Sequence, residues 1–252
     1  MDTCCAKPED PDEAFQSPKP TSSPQDVLIH IPRTRKDKPD IPPQPSHRSM
    51  DAKLLDDALS YVADYIAKRG RHIKMVAAGG IVSTLYLQTR DTTYDVDLFG
   101  SNCGNADRRL LDDALHDALE RFSPLLGTRW LNTKTHLWMS TSVHQTLTKM
   151  AEQQEEMVFN RPGLTLFAAP WDYAFTAKIC RISAGKKVKP YDLPDAINYI
   201  HRYIQSHGNK AVPMAVILDW ANYLEDKINP QVLLTSVNLE YRRQYQRDAV
   251  VI

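Results

Sequence analysis

Residues 76–99 read VAAGGIVSTLYLQTRDTTYDVDLF, and this stretch decides the fold. A first apolar run ends at two glycines, Gly79 and Gly80, and a second apolar run contains two carboxylates, Asp95 and Asp97. Apolar strands normally exclude charge, because an unpaired buried carboxylate is strongly destabilising. The two aspartates therefore need a chemical reason to be there.

Strand geometry places the two carboxylates together. Successive residues of a strand point to opposite faces, so Asp95 and Asp97 share one face while Val96 and Leu98 point into the core. Two like charges a few ångströms apart repel each other unless a cation lies between them. Oxygen ligands suit Mg2+ or Mn2+, so we expect Asp95 and Asp97 to be metal ligands.

The two glycines fit the same kind of site. They lie between a predicted strand at residues 72–78 and a predicted helix at residues 81–88. Glycine lets a ligand approach the backbone closely, and the amides at a helix N-terminus attract phosphate. Ser83 lies one turn into the helix and adds a hydrogen-bond donor. A phosphate-binding turn beside a metal site is the arrangement that nucleotidyl transfer needs, because the metal holds the triphosphate.

This pattern resembles the nucleotidyltransferase fold of the polymerase β type. The form GGIVSTLYLQTRDTTYDVDLF is similar to the branch that holds abortive-infection toxin-type and aminoglycoside-type enzymes, which place an Arg and Ser/Thr residues before the acidic pair, here Arg90, Thr92 and Thr93. It is most similar to a fungal group without an assigned reaction. That group shares the segments at residues 169–181 (APWDYAFTAKICR) and 190–203 (PYDLPDAINYIHRY).

The resemblance implies further site residues. Lys178 on a helix and Asp192, with Asp195 as an alternative, match the positions that complete the site in the toxin-type branch. Arg181 lies about one turn after Lys178 and adds positive charge near a triphosphate. Many active members of the superfamily also carry a third carboxylate on a later strand, which this sequence lacks. Either Asp192 or Asp195 supplies it, or the site binds nucleotide without efficient transfer.

Structural roles compete with these functional ones. Lys178 is also explained as a solvent-facing helix lysine, and Asp192 as a helix N-cap. The basic loop at residues 185–189 is typical of a solvated surface. The aromatic residues of the later helices, among them Trp171, Tyr173, Phe175 and Tyr199, are expected to pack in the core.

Composition sets outer limits. Lys plus Arg and Asp plus Glu each number 31 among 252 residues, so the formal net charge is zero and bulk binding to nucleic acid or membrane is not indicated. A local contact with nucleic acid is left open. The four cysteines have no zinc-binding spacing and no apolar run reaches membrane-span length, so we expect a cytoplasmic location, with a nuclear one left open.

Three regions follow from the pattern along the chain. Residues 1–48 are rich in Pro and Ser and predict a disordered tail, in which residues 27–31 (VLIHI) form a short apolar run. Residues 49–206 alternate helices and strands, with a predicted hairpin around residues 161–163 and strand pieces at 130–131 and 136–140. Residues 207–252 predict a helical extension. The fold class is therefore α/β (α+β), a mixed sheet flanked by helices with a C-terminal helical part.

Two functions fit these observations. The first is metal-dependent transfer of a nucleoside monophosphate from a nucleoside triphosphate to a hydroxyl on a small molecule, protein or RNA. In it Asp95 and Asp97 bind Mg2+ or Mn2+, and Gly79, Gly80 and Ser83 hold the triphosphate. Lys178 and Arg181 neutralise charge, and Asp192 is the candidate base or third ligand. Arg90 and Thr93 complete the expected nucleotide-binding residues. The second function is a catalytically degenerate protein of the same fold, used for binding.

Overall fold

The computed structural model describes residues 47–185 and 188–252. The predicted tail, including the apolar run at residues 27–31, therefore lies outside the described residues except for its last two positions. Eight α-helices and nine strands are found within the described ranges. The α-helices are α1 (Ala52–Ala67), α2 (Asn105–Arg121), α3 (Thr141–Gln154), α4 (Trp171–Ala184), α5 (Asp192–Ser206), α6 (Met214–Tyr223), α7 (Pro230–Val232) and α8 (Asn238–Tyr245). The strands are β1 (Met50–Asp51), β2 (Ile73–Ala78), β3 (Thr92–Thr93), β4 (Val96–Phe99), β5 (Leu131–Asn132), β6 (Met157–Arg161), β7 (Leu164–Ala168), β8 (Val212–Pro213) and β9 (Val250–Val251).

One five-stranded mixed sheet forms the centre, in the order β5-β4-β2-β7-β6. β2 is antiparallel to β4 and parallel to β7, while β4 and β5 are parallel and β6 and β7 form the predicted hairpin. Two further pairs of short strands, β1 with β3 and β8 with β9, lie outside this sheet. The predicted fold class is confirmed: a mixed sheet is flanked by helices and followed by a helical C-terminal part.

The sheet separates two apolar clusters, as the alternation of strand side chains requires. Met75, Ala77, Val96 and Leu98 join the large cluster, which also contains the buried faces of α1, α2, α4 and α5. Val76 and Phe99 join a smaller cluster with residues of α3. By the same alternation Asp97 shares a face of β4 with Phe99, so its carboxylate avoids the large core.

The helix after the glycines is more widely wound than expected. Residues 81–88 predict an α-helix, and the structure forms a π-helical segment at Val82–Tyr86. Such segments are frequent at functional sites. A second π-helical segment, Leu233–Val237, joins α7 to α8 within the predicted C-terminal helix.

The predicted strand piece at residues 136–140 is wrong. The structure has a 3-10 helix at Thr135–Trp138 instead. The reason lies at Asn132, whose side-chain Oδ1 accepts a hydrogen bond from the Lys134 backbone N–H at 2.9 Å. This Asx-type turn bends the chain directly after β5 and ends the strand. None of the helices in the described ranges is long and apolar enough to cross a membrane.

Candidate nucleotide and metal site

The glycine turn joins β2 to the π-helical segment. Gly79 has a φ of 71°, in the left-handed region that glycine adopts without strain. Gly80 is required for a different reason, since a β carbon there would lie 2.0 Å from Thr93 Oγ1. Thr93 is buried and packs directly on the turn. The predicted residues Gly79, Gly80 and Thr93 are therefore brought together.

The turn also lies beside Asp97, the second residue of the acidic pair. Antiparallel pairing sets Ala78 opposite Asp97, so the end of β2 lies beside the carboxylate. A β carbon on Gly79 would lie 3.7 Å from Asp97 Oδ2. Asp95 and Asp97 are both only partly buried, so solvent reaches the pair. Two motifs at least 15 residues apart in sequence thus form one site.

Asp97 is held in an unfavourable environment for a negative charge. Burial and, after it, the nearby Asp95 carboxylate raise the pKa of its carboxyl group to about 6. Hydrogen bonds from Asn132 and Thr135 and the charge of Arg181 act in the opposite direction without cancelling the rise. A cation bound between the two aspartates would relieve this cost.

Asn132 lies beside Asp97 on the neighbouring strand, a position that the sequence analysis did not identify. The parallel pairing of β4 with β5 sets Asn132 opposite Asp97. Its Nδ2 donates to Asp97 Oδ1 at 2.8 Å, while its Oδ1 accepts from Lys134. These two bonds fix which way the amide faces. The strand next to Asp97 therefore carries the amide of Asn132 and not a third carboxylate.

A buried ion-pair network surrounds Lys178. Its Nζ donates to Asp192 Oδ1 at 3.0 Å and to Asp195 Oδ2 at 2.7 Å. Both aspartates are buried, with exposures of 0% and 1%. The description of Lys178 as a solvent-facing lysine is therefore wrong, since α4 presents it to the N-terminus of α5.

Two arginines extend this network toward the turn. Arg181 Nη1 donates to Asp192 Oδ1 at 3.2 Å, and Arg90 Nη1 lies 3.4 Å from Asp195 Oδ2. The Arg90 guanidinium also stacks on the Tyr191 ring, 3.8 Å from its centroid. Three cations thus face two carboxylates, which leaves one positive charge in excess.

Both carboxylate oxygens of Asp192 accept hydrogen bonds from neighbouring groups. Burial alone would raise the pKa of its carboxyl group, but the Lys189 backbone N–H, Lys178 and Arg181 together lower it. Its Oδ2 accepts from Lys189 N at 2.8 Å, and Oδ1 serves both cations. Asp192 lies in the first turn of α5 after the N-cap residue Tyr191, so it is not itself the N-cap. Within the described residues Asp195 Oδ1 is buried without a hydrogen-bond partner.

Ser83 faces the core. It is fully buried, and its Oγ lies 2.9 Å from the hydroxyl of Tyr199 on α5. The Tyr199 hydroxyl also donates to the Gly79 carbonyl oxygen at 3.0 Å. Tyr199 was expected to pack in the core, which it does, but no sequence signal showed that its hydroxyl reaches the turn.

The two halves of the site meet through Arg181, which bonds Asp192 and also lowers the pKa of Asp97. Among the later aromatic residues, Trp171 and Phe175 are buried as predicted. Tyr173 differs from them, because its ring packs edge-on against Phe99. Burial is the main cause that raises the pKa of the Tyr173 hydroxyl to about 12, and the charge of Asp97 is the second. Two residues of the predicted basic loop, 186 and 187, lie outside the described residues.

The donor set fits a magnesium nucleotide better than a free metal ion. In the part of the chain that the structure describes, no group of three or more His, Cys, Asp or Glu side chains is placed to hold a metal. Mg2+ is commonly bound by one or two carboxylates together with substrate phosphates rather than by a complete protein cage. Asp95 and Asp97 match that mode of binding.

Comparison with known proteins gives a family and no activity. The chain belongs to the family described as Domain of unknown function (DUF7582), which matches residues 48–248. The match therefore covers the central sheet, the candidate site and most of the C-terminal helices. No curated protein and no solved structure matches the chain significantly.

Proposed function

We propose that the chain binds a nucleoside triphosphate together with a divalent cation and transfers the nucleoside monophosphate to a hydroxyl group. The observation that carries this proposal is the position of Asp97, which lies beside the Gly79 turn and close enough to Asp95 for the two charges to interact. A strand-turn-helix connection binds phosphate, and paired carboxylates bind Mg2+ or Mn2+. Their juxtaposition in one site favours nucleotide chemistry over a purely structural role.

Each part of the site has a role in this proposal. Asp95 and Asp97 would hold Mg2+ or Mn2+, which offsets phosphate charge and polarises the phosphorus under attack. The backbone of Gly79 and Gly80 would accommodate the triphosphate.

The positive side of the site supports the phosphates electrostatically. The cluster of Arg90, Lys178 and Arg181 carries one charge more than its two buried aspartates neutralise. Positive charge fixed in advance near developing negative charge is an effective form of transition-state stabilisation. The oxygen of the acceptor hydroxyl forms a bond to the α-phosphorus, the bond to pyrophosphate breaks, and the hydroxyl proton leaves to water.

A second candidate is a protein that binds the nucleotide without transferring it. Two observations favour it. The residue beside Asp97 on the neighbouring strand is the amide Asn132 and not a third carboxylate, and Asp192 is fully engaged by Lys178, Arg181 and Lys189. Under both candidates the acceptor or partner is a small molecule, a protein or an RNA, and we propose a cytoplasmic location.

Calorimetric titration with the magnesium complexes of ATP, GTP, CTP and UTP tests the proposal. We expect at least one to bind the wild type and to lose its affinity in the Asp95→Asn/Asp97→Asn variant, because the cation loses its ligands. Asp112→Asn is the matched control, since partial desolvation also raises the pKa of this aspartate on α2. It should bind like the wild type.

Pyrophosphate release then separates the two candidates. The assay uses the nucleotide that binds most tightly, with glycerol, a serine-containing peptide and an RNA oligonucleotide as hydroxyl acceptors. Release that depends on Mg2+ and on the two aspartates supports transfer, and binding without release supports the second candidate. Binding that is equal in the wild type and in the Asp95→Asn/Asp97→Asn variant would contradict both.

A further inference from the structure

Tyr199 is a buried tyrosine whose hydroxyl group has specific hydrogen-bond partners. It lies on α5 with 1% of its surface exposed, and its ring stacks on Trp171 with centroids 6.0 Å apart. A buried tyrosine hydroxyl normally needs a hydrogen-bond partner. The partners here belong to the glycine turn and to the helical segment after it.

The hydrogen bonds of this hydroxyl have a defined direction. Tyr199 donates its single proton to the Gly79 carbonyl oxygen at 3.0 Å. Ser83 Oγ, 2.9 Å away, must then be the donor of the second bond. The result is a series of two hydrogen bonds that runs from Ser83 through Tyr199 to Gly79. Burial raises the pKa of the Tyr199 hydroxyl, so the proton that this series needs stays in place.

The hydrogen bonds of the Gly79 carbonyl oxygen determine the conformation of the turn. It also accepts from the backbone N–H of Val82 at 3.2 Å, so the same oxygen begins the following helical segment. Its orientation fixes the peptide plane between Gly79 and Gly80, beside Asp97. α5 approaches this turn a second time, because Asp195 holds Arg90, whose Nη1 lies 3.3 Å from the position of a β carbon on Gly80.

We propose that Tyr199 is a positioning residue, which holds the Gly79 turn in the conformation that binds the triphosphate. This inference rests on the proposed function and adds to it a long-range requirement, since Tyr199 and Gly79 are 120 residues apart. Ser83 acts through Tyr199 and not on the nucleotide directly.

Tyr199→Phe tests the inference, because it keeps the ring and removes only the hydroxyl. Tyr241→Phe is the matched control: Tyr241 is also fully buried, and its hydroxyl lies 3.0 Å from His201 Nδ1 and not at the turn. We expect both variants to lower the melting temperature. Only Tyr199→Phe should weaken binding of the magnesium nucleotide in calorimetry, by about five- to tenfold, the effect of losing one hydrogen bond.

Each outcome has a separate meaning. If the affinity of Tyr199→Phe stays within about twofold of the wild type, or if both variants lose affinity equally, Tyr199 only packs and the inference is wrong. If the wild type itself binds no nucleotide, the proposed function and this inference fall together. Nucleotide binding by the wild type thus distinguishes the two failures.

Ser83→Ala, measured alone and in the Tyr199→Phe background, tests whether Ser83 acts through the Tyr199 hydroxyl. If Ser83 acts through Tyr199, its substitution should weaken binding in the wild-type background and have little further effect once the tyrosine hydroxyl is gone. A full additional loss in the double variant would show that Ser83 contacts the nucleotide itself and would overturn this part of the inference.

Discussion

Asp97 and Asp192 are two aspartates of the candidate site whose pKa values are shifted in opposite directions. Burial and the neighbouring Asp95 raise its pKa to about 6, whereas the bonds to Asp192 lower the pKa of that residue. Both lie in the same site, but only Asp192 has local cations as partners. A carboxylate kept at such a cost is typical of functional sites.

Asp97→Asn should stabilise the protein when no divalent cation is present. The raised pKa means that the folded state binds the proton more tightly than the unfolded chain, so wild-type stability falls as pH rises from about 4 through about 6. Above pH 7 the variant lacks that cost, and its free energy of unfolding should exceed that of the wild type by about 1 to 2 kcal/mol. This is less than the free energy to which the full pKa shift corresponds.

Thermal unfolding at pH 4 and at pH 7.5, in the presence of a chelator, measures this effect. The gain should appear at pH 7.5 and be small at pH 4, where the folded wild type keeps the proton on Asp97 and the unfolded chain is about half protonated at this residue. A variant less stable than the wild type at pH 7.5 would show that Asp97 is a structural residue whose charge the fold requires.

Single residues also show what sequence reasoning misses. Gly80 was assigned to phosphate approach, but its first constraint is contact with Thr93, which arises only when β3 folds onto the turn. Ser83 was assigned to the ligand and is buried against Tyr199. The residue types were predictable from the motif, whereas their partners come from chain segments that no local pattern connects.

The pairing of α4 with α5 is the element that organises the positive half of the site. Lys178 on α4 bonds Asp192 and Asp195 on α5, and all three side chains are buried. Breaking a buried pair by removing one partner is strongly destabilising, because it leaves a buried charge uncompensated.

Asp192→Asn should therefore destabilise the protein at neutral pH by about 2 to 4 kcal/mol. Because the folded pKa of Asp192 is lowered, its contribution is complete above the unfolded value and is lost as pH falls through the folded value. The difference between variant and wild type should thus shrink below pH 4; at neutral pH it has the opposite sign to that of Asp97→Asn, since Asp192→Asn is less stable than the wild type.

Urea unfolding at pH 7 and at pH 3 checks this difference. The control is Asp57→Asn, which removes an exposed ion pair with Lys53 and should leave stability nearly unchanged at both values. If Asp192→Asn is as stable as the wild type at pH 7, Asp192 is not the anchor of α5 and remains available for chemistry.

At the scale of the elements, long periodic segments were predictable and short pairings were not. The hairpin of β6 and β7 and the helices of the C-terminal half follow from local periodicity. The two-residue strands β1, β3, β8 and β9 do not, because each exists only through a partner far away in the sequence. The strand piece predicted at residues 136–140 was wrong, because a 3-10 helix follows the Asn132 turn.

Over the whole molecule, the sheet keeps the Asp97 carboxylate apart from the main core. The large cluster fills one face, while Asp97 shares the other face with Phe99 at the end of β4. The motif at residues 76–99 was sufficient to predict the strand-turn-helix-strand unit and the acidic pair. It was not sufficient to predict Asn132 and Tyr199, which come from β5 and α5.

Binding of Mn2+, measured by electron paramagnetic resonance at pH 7.5 with and without a nucleoside triphosphate, tests the central claim most directly. Asp95 and Asp97 supply two carboxylates and the nucleotide supplies the remaining oxygens. The wild type and Asp112→Asn should therefore bind Mn2+ tightly when the triphosphate is present, and the Asp95→Asn/Asp97→Asn variant should not. Equal Mn2+ binding by all three proteins, or none by the wild type, would contradict a metal-nucleotide site at the glycine turn.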